Sequence, residues 1–309
     1  MRLDELGEGA LVRRIRDRFQ NPDVILGIGD DAAVLALPPG YSIVYCSDLM
    51  VEDTHFIRTL HPPDSVGYKV VAVNASDVGA MGGIPMHFVV SLAAPGDLEL
   101  DWVDGFYSGV EKACNDFDVS LVGGDTSSAK SIFVDVAMIG KVRTGAAVRR
   151  SGARAGDNIY VTGALGASSR GLNLLRSGNA SDPSVKRHLY PTPRHRVGAA
   201  VSERAHAMID VSDGLSSDLS HIVSESAVSA RIYRDRLPVA EGASESEALH
   251  GGEEYELIIV AAELPGEIEG VPVTKIGEMV PSAKEHQIVL VDGGTESILQ
   301  PRGWDHYSG

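Results

Sequence analysis

The residues of this sequence best suited to chemistry are aspartates that follow glycine or serine at the ends of apolar runs. Asp30 and Asp31 stand together in "GIGDDAAVL", Asp48 ends "SIVYCSD" and Asp125 ends "LVGGD". Neighbouring carboxylates repel each other, and the flanking apolar runs argue against an ordinary surface loop. These aspartates therefore either face water or share a positively charged ligand.

A fourth acidic motif, "NASD", lies in a predicted helix, where Asn74 and Asp77 share one face. Carboxylates at strand ends can converge on one edge of a sheet, and glycine lets the backbone approach a ligand closely. Oxygen ligands without cysteine or paired histidine suit Mg²⁺ better than Zn²⁺. Turns and helix caps explain any one motif well, but a Mg²⁺ site explains the four together better.

The second half of the sequence has two further acidic motifs. "IDVSDG" places Asp210 and Asp213 three residues apart, and helix capping explains Asp213 more easily than Asp210. "GGEEYEL" places Glu253 and Glu254 after two glycines, where a solvated charge pair is the alternative to a binding role. Both motifs are candidate binding sites with a structural alternative.

Other candidate residues have equally ordinary alternatives. The segment "VTGALGASSRG" either holds phosphate at helix N-terminal amides or serves capping and packing. Neither a P-loop nor a kinase-type glycine-rich loop occurs, so phosphate binding would depend on metal and on arginines such as Arg149 and Arg150. These arginines also fit a solvated linker. His55 is a lone histidine, and Trp304 either packs on its domain or stacks on a flat ligand ring.

Alternating strand and helix patterns predict an α/β protein with layered α+β character. A length of 309 residues predicts two domains. The polar and basic stretch "RTGAAVRRSGARAGD" is typical of a domain junction. We therefore expect domains at residues 1–143 and 144–309.

Composition narrows the classes of function. A formal net charge of −16 disfavours binding to nucleic acid or to an anionic membrane, and polyphosphate would need divalent cations. No apolar run could cross a bilayer, and the first residues lack a signal-peptide core, so we expect a cytoplasmic protein. Two cysteines, Cys46 and Cys114, support neither a disulfide framework nor a structural zinc.

Seven motifs, taken in order, resemble those of thiamine-monophosphate kinases: "GIGDDAAVL", "SDLMVEDTHF", "VNASDVGAMGG", "LVGGDTS", "RRSGARAGD", "IDVSDGLSSDL" and "GGEEYEL". That family is related to aminoimidazole ribonucleotide synthetase, selenophosphate synthetase and the hydrogenase maturation protein for nitrile carbamoyl transfer. The resemblance extends from about Gly27 to Trp304. It implies ATP-dependent phosphorylation of thiamine monophosphate to thiamine diphosphate by direct in-line transfer with several Mg²⁺ ions.

The same resemblance implies a homodimer. The first domain would bind metal and ATP and form the dimer, and the second would complete the cleft for ATP and substrate. Individual roles follow by matching motifs. Magnesium ligands would be Asp31, Asp48, Asp77, Asp125, Asp210 and Asp213, with Cys46 and Ser47 near the ions. ATP would be bound by Tyr107, Gly124, Asp125, Arg150 and Ser212, and thiamine monophosphate by His55, Glu253 and Trp304. The transfer step would depend on Asp48, Asp77, Asp125 and Arg150.

Three positions depart from the family pattern. Asp53 stands where a small residue is common. Glu254 stands where aspartate is usual, and Cys46 replaces a hydroxyl residue, so a metal contact at position 46 would use backbone oxygen. Two alternative functions stay open. Another superfamily enzyme similar to aminoimidazole ribonucleotide synthetase fits "GGEEYEL" and Trp304 less well. A non-catalytic regulatory dimer that binds nucleotide and Mg²⁺ is disfavoured, because all the matching aspartates are retained.

Overall fold

The chain divides into two compact units. The computed structural model describes residues 2–6, 8–19, 35–282 and 286–304. The first unit combines Met1–Val78 with Ile84–Thr144, and the second combines Gly79–Gly83 with Gly145–Gly309.

The first unit is a four-stranded sheet with helices. Its helices are α1 (Leu3–Leu6), α2 (Glu8–Arg18), α3 (Pro63–Ala80) and α4 (Leu100–Phe117). Its strands are β1 (Tyr41–Val51), β2 (Ile84–Ala94), β3 (Ser120–Ser128) and β4 (Phe133–Arg143). The strand order is β1-β4-β2-β3, and β2 and β3 form the parallel pair.

Alternation of side chains gives this sheet one buried and one exposed face. In β4, Val134, Val136 and Met138 are fully buried, whereas the residues between them are partly exposed. In β1 the exposed positions are Ile43, Tyr45, Ser47 and Leu49. Because side chains alternate with a period of two, Cys46 and Asp48 point to the opposite face from Ser47.

Helices α3 and α4 cross at glycine. A Cβ atom on Gly67 would lie 1.9 Å from the carbonyl oxygen of Phe106, and one on Gly109 would lie 1.8 Å from that of Asp64. The two backbones therefore touch, which is possible only where a side chain is absent. On α4, the buried residues Val103, Phe106 and Val110 follow the spacing of one helical face.

The second unit is built on a larger mixed sheet. Its helices are α5 (Ala167–Arg176), α6 (Pro183–Leu189), α7 (His195–Val201), α8 (Leu215–Ser226) and α9 (Glu245–His250), with a 3-10 turn at Arg234–Arg236. Its strands are β5 (Asn158–Thr162), β6 (Ala205–Asp210), β7 (Ser229–Tyr233), β8 (Leu257–Ala261), β9 (Glu267–Ile268), β10 (Val271–Val280), β11 (Ile288–Asp292) and β12 (Thr295–Ile298). The order is β12-β11-β7-β10-β5-β8-β6, with β9 paired to β10.

Both faces of this sheet carry apolar clusters. One cluster includes Ile209, Leu219 and Ile258, and the other includes Tyr160, Met208 and Ile259. Strand β8, "LIIVA", is buried along its whole length, as expected of a strand covered on both faces. Helices layered on sheets in both units confirm the predicted α/β class. Across the described part of the chain, we find no helix with the length and apolar character required to span a bilayer.

Candidate functional site

A pair of carboxylates joins β1 to α3 in the first unit. The side chains of Asp48 and Asp77 are hydrogen bonded to each other. Burial raises the pKa of Asp48, and the negative charge of Asp135 adds to the effect, whereas the bond to Asp77 opposes it. Two ionised carboxylates at such close approach repel each other, so this position suits a cation.

The neighbours of Asp48 differ in the face they occupy. Cys46 lies on the same face, with Sγ 3.5 Å from the carbonyl oxygen of Asn74 and 3.6 Å from its side-chain oxygen. Ser47 lies on the other face and donates a hydrogen bond of 2.7 Å to Asp135. A metal ion beside Asp48 could therefore meet Ser47 only through its backbone, as the sequence already requires for Cys46.

Asp125 lies apart from this pair. One cross-strand row contains Asp48 of β1, Val136 of β4, Val90 of β2 and Gly124 of β3. Because neighbouring strands lie about 4.8 Å apart, these three spacings separate β1 from β3 by about 14 Å. Asp125 occupies the next row and points to the opposite face. Strands β1 and β3 run in the same direction, so Asp48 and Asp125 lie toward the same end of the sheet, but the strand order places these two strands at opposite edges.

Tyr107 and Gly124, both predicted to contact nucleotide, lie in one cavity. The cavity has a volume of about 110 Å³, and its lining includes Ile15, Val90, Tyr107, Gly124 and Asp125. Burial raises the pKa of the Tyr107 hydroxyl above its ordinary value. Gly124 has φ +159°, and a Cβ atom there would lie 2.1 Å from the carbonyl oxygen of Val90. The strand pairing therefore requires glycine.

In the second unit, the loop between β6 and α8 carries the predicted acidic residues. Asp210 is buried at the end of β6, and Asp213 follows after Ser212. The carboxylate of Asp218 accepts the backbone N–H groups of Asp213 and Gly214 at 3.1 and 3.0 Å. Burial, with the charges of Asp210 and Asp213, raises the pKa of Asp218 to about 8. Sequence reasoning missed Asp218, although its place in the first turn of α8 is typical of a capping carboxylate.

Two predicted substrate residues flank this loop. The backbone N–H of Glu253 donates to the carbonyl oxygen of Ser212 at 2.6 Å, and that of Trp304 donates to the carbonyl oxygen of Asp213 at 3.4 Å. The side chain of Trp304 is 55% exposed. The structure therefore brings Ser212, Asp213, Glu253 and Trp304 together.

The glycine-rich turn before α5 holds a carboxylate of the chain itself. Oε1 of Glu254 accepts the N–H groups of Gly166 and Ser168 at 3.0 and 2.9 Å. Burial raises the pKa of Glu254 to about 7, against the lowering effect of Arg187 and these two amides. The amides of this turn, one alternative for which was phosphate binding, are therefore occupied by Glu254. The other alternative, helix capping and packing, is the correct one.

A buried ion cluster follows Glu254. Glu256 is 1% exposed and accepts hydrogen bonds from Arg187, Arg194 and Thr162. Sequence reasoning missed Glu256, although it stands in the same motif as Glu253 and Glu254, directly before the apolar run "LIIV".

Three further predicted residues lie elsewhere. His55 accepts the backbone N–H of Val51 at Nδ1, 3.0 Å away, in the turn after β1. The carbonyl oxygen of Arg150 accepts from Ser226 at the far end of α8, about 18 Å along the helix axis from Ser212. Within a single chain, the backbones of Arg150 and Ser212 therefore lie at opposite ends of α8. Asp31 falls outside the described residues.

The carboxylates present fit Mg²⁺ in type. Among the described residues, no group of three or more His, Cys, Asp or Glu side chains could hold a metal ion. Mg²⁺ is commonly bound by one or two carboxylates together with water and substrate phosphates, so Asp48 and Asp77 suffice as a starting pair. A cation held by both carboxylates would relieve their mutual repulsion.

Comparison with known proteins places the chain in a class. The family described as AIR synthase related protein, N-terminal domain, matches residues 29–142, and the corresponding C-terminal domain family matches residues 154–289. The chain is thus a two-domain AIR synthase related protein. A solved structure of AaThiL complexed with AMPPCP and TMP has a TM-score of 0.78 at 33% identity, covering 99% of each chain.

Curated relatives narrow the class to one family. Thiamine-monophosphate kinase of Escherichia coli (strain K12) is 38% identical over 98% of this chain and 98% of its own length. That of Bacillus subtilis (strain 168) is 36% identical over 98% of this chain and 100% of its own length. The chain belongs to the thiamine-monophosphate kinase family. The resemblance stated from the sequence is therefore confirmed, as is membership of a phosphotransferase family.

Proposed function

We propose that this protein transfers the γ-phosphoryl group of ATP to thiamine monophosphate, forming thiamine diphosphate, with several Mg²⁺ ions. The observation that carries the proposal is the Asp48–Asp77 pair, because it presents only oxygen donors, and Asp48 and Asp77 belong to two of the motifs on which the resemblance to the family rests. Since ATP is the donor, the proposal implies a cytoplasmic enzyme.

The chemistry explains why so many acidic residues are present. Joining a phosphomonoester to ATP brings two anions together, and each pair of unit charges at ~4 Å costs about 4 kcal/mol at an effective dielectric constant of about 20. Bound Mg²⁺ would supply the positive charge that offsets this repulsion. Asp48, Asp77, Asp125, Asp210 and Asp213 would hold the ions, and Asp218 would hold the backbone of the Asp213 loop in place.

A general base is not required. The acceptor is a phosphate oxygen whose second pKa is about 6, so it is already ionised near neutral pH. Positioning of the two phosphates and stabilisation of charge can then carry an in-line transfer without a phosphoenzyme. Tyr107, Gly124, Arg150 and Ser212 would bind ATP, and His55, Glu253 and Trp304 would bind the acceptor.

Trp304→Ala is expected to raise KM for thiamine monophosphate about tenfold while changing KM for ATP less than about twofold. The backbone of Trp304 contacts Asp213, and its exposed indole offers a flat surface for an aromatic ring. Stacking of this kind contributes about 1 kcal/mol beyond area burial. Steady-state kinetics with each substrate varied in turn measure both constants. An equal rise in the two values would indicate that Trp304 only packs against its own unit.

We also propose that the protein is a homodimer formed through the exposed face of the first sheet. Ile43, Tyr45 and Leu49 of β1 are 57%, 68% and 49% exposed, and Phe133 of β4 shares their face. Several large apolar side chains exposed on one sheet face are typical of an interface. The same face carries Asp125 at its far edge.

Tyr45→Asp is expected to convert the dimer to a monomer at micromolar concentration. The substitution places an unpaired charge at the centre of the apolar face, which typically costs several kcal/mol on burial. Light scattering after size exclusion measures the mass, and Ile298→Asp, on exposed β12 of the second unit, is the matched control. A wild-type monomer, or a Tyr45→Asp dimer, would contradict the proposed interface.

The proposed reaction can be tested by following the phosphoryl group. With ATP labelled at the γ position, we expect label in the terminal phosphate of thiamine diphosphate when thiamine monophosphate is present. Free thiamine should give no labelled product. Label appearing only as inorganic phosphate would overturn the transfer.

A further inference from the structure

We propose that Glu256, held by Arg187 and Arg194, is a positioning residue for the acceptor site, because it fixes the backbone that presents Glu253. The inference rests on the proposed role of Glu253 in binding thiamine monophosphate. Nothing in the family motifs assigns a role to Glu256 or to the two arginines.

The segment that carries Glu253 has a strained backbone. Glu253 has φ +61° and Tyr255 has φ +52°, values in the left-handed region that non-glycine residues rarely adopt. Two such residues within three positions persist only where the surroundings over-determine the conformation. The segment therefore depends on specific contacts to keep its shape.

Backbone hydrogen bonds tie the segment to the end of β6. Val211 accepts from the N–H of Tyr255 at 2.9 Å and donates to the carbonyl oxygen of Glu256 at 2.7 Å. Ser212 accepts from the N–H of Glu253 at 2.6 Å. These bonds set Glu253 beside the Ser212–Asp213 loop, so any shift of the segment moves Glu253 relative to that loop.

The side chain of Glu256 anchors the other end of the segment. Arg194 donates from Nε to Oε2 at 2.7 Å and from Nη2 to Oε1 at 2.6 Å, a two-point contact with both carboxylate oxygens. Thr162 donates to Oε2 at 2.6 Å. A Cβ atom on Gly163 would lie 2.3 Å from Oε1, so the chain leaves room for this carboxylate by placing glycine there.

Arg187 connects the anchor to the strained backbone. Its Nη2 atom donates to Oε1 of Glu256 at 2.6 Å and to the carbonyl oxygen of Glu254 at 2.8 Å. The Glu254 carbonyl lies between the two residues with positive φ. The guanidinium therefore fixes the peptide unit at the centre of the strained segment, and Glu256 fixes the guanidinium.

Side-chain directions support a positioning role. Glu254 and Glu256 are buried, whereas the side chain of Glu253 is 30% exposed. A buried ion cluster often adds little to the stability of the fold, because apolar side chains of similar size can often replace it with no loss of stability. Its value here lies in holding a defined geometry, which apolar packing would not provide.

Glu256→Gln tests the inference, because it keeps the size of the side chain and removes its charge. We expect KM for thiamine monophosphate to rise about tenfold, with KM for ATP changed less than about twofold. Amide hydrogen exchange at residues 253–255 of the substrate-free chain should become at least about tenfold faster. Glu296→Gln is the control. Glu296 lies on β12, at the sheet edge far from β8, and its exposed carboxylate is paired with Arg231 of β7. Its substitution should change neither measurement.

A second pair of variants covers the case in which Glu256→Gln does not fold. Arg187→Gln leaves the Arg194–Glu256 contact intact, and should shift the same two measurements by a smaller factor. Arg187→Lys should recover part of the loss. Equal rises in both KM values, or unchanged exchange at residues 253–255, would overturn the positioning role. If the wild-type chain makes no thiamine diphosphate, the proposed function is overturned. Hydrogen exchange needs no substrate, so it still tests the positioning role of Glu256 in that case.

Discussion

Asp77→Asn is expected to lower kcat for thiamine diphosphate formation at least about a thousandfold, a loss of about 4 kcal/mol of transition-state stabilisation. The side chain of Asp77 is hydrogen bonded to that of Asp48, across the contact between α3 and β1. An amide at position 77 removes one negative oxygen donor from a site that must hold a divalent cation against two anionic substrates.

The fold should survive this change. Asparagine has nearly the same shape as aspartate, and its amide can donate to Asp48 without a shared proton, so the unfolding temperature without Mg²⁺ should stay at or above that of the wild type. Turnover and Mg²⁺-dependent thermal shift are the two measurements. Asp97→Asn, an exposed carboxylate between β2 and α4, is the control and should leave both unchanged. Near-normal turnover of Asp77→Asn at saturating Mg²⁺ would show that phosphoryl transfer does not require the Asp48–Asp77 pair.

Gly109→Ala is expected to destabilise the protein by about 3 kcal/mol or more, which lowers the unfolding temperature by roughly 6–12 °C. The new Cβ atom would lie 1.8 Å from the carbonyl oxygen of Asp64 and 2.8 Å from the backbone nitrogen of Tyr68. Helix α3 must then move away from α4, and α3 carries Asn74 and Asp77.

The sign of this effect is diagnostic. In an unpacked helix, alanine in place of glycine would stabilise by about 0.5–1 kcal/mol. Gly266→Ala is the matched control, because no atom lies within 4 Å of its Cβ position. Thermal unfolding should show a large loss for Gly109→Ala and a change within about 0.5 kcal/mol for Gly266→Ala. A gain for Gly109→Ala would contradict the close helix crossing.

Local patterns predicted the elements that bury a periodic apolar face. The pattern in "LDWVDGFYSGVEKACNDF" predicts helix over 100–117, and α4 has those bounds. The short helices α6 and α9 were not predicted. Each has a readable start signal, because Asp182 precedes Pro183, and Ser244 and Glu247 form a capping box. Helices of six or seven residues have too few apolar positions for periodicity to identify them.

The sequence predicted the candidate site only in part. Local motifs identify the acidic residues, but their positions relative to one another depend on strand order, which local motifs do not determine. The motifs identify Asp48 and Asp77, which meet in the structure. They also suggest that Asp125 lies nearby, but pairing through β4 and β2 carries it to the opposite edge. The glycine-rich turn was ambiguous for a similar reason, since Glu254, its actual occupant, stands 88 residues later than Gly166.

The most direct test of the proposed function is to measure ADP release from ATP and Mg²⁺ with a panel of acceptors and to identify each product. The panel contains thiamine monophosphate, free thiamine, formylglycinamidine ribonucleotide and selenide. We expect stoichiometric ADP and thiamine diphosphate with thiamine monophosphate, and no product with the other three. ADP release that depends on a different acceptor, or on none, would contradict the proposed substrate while leaving the fold and the carboxylate pair in place.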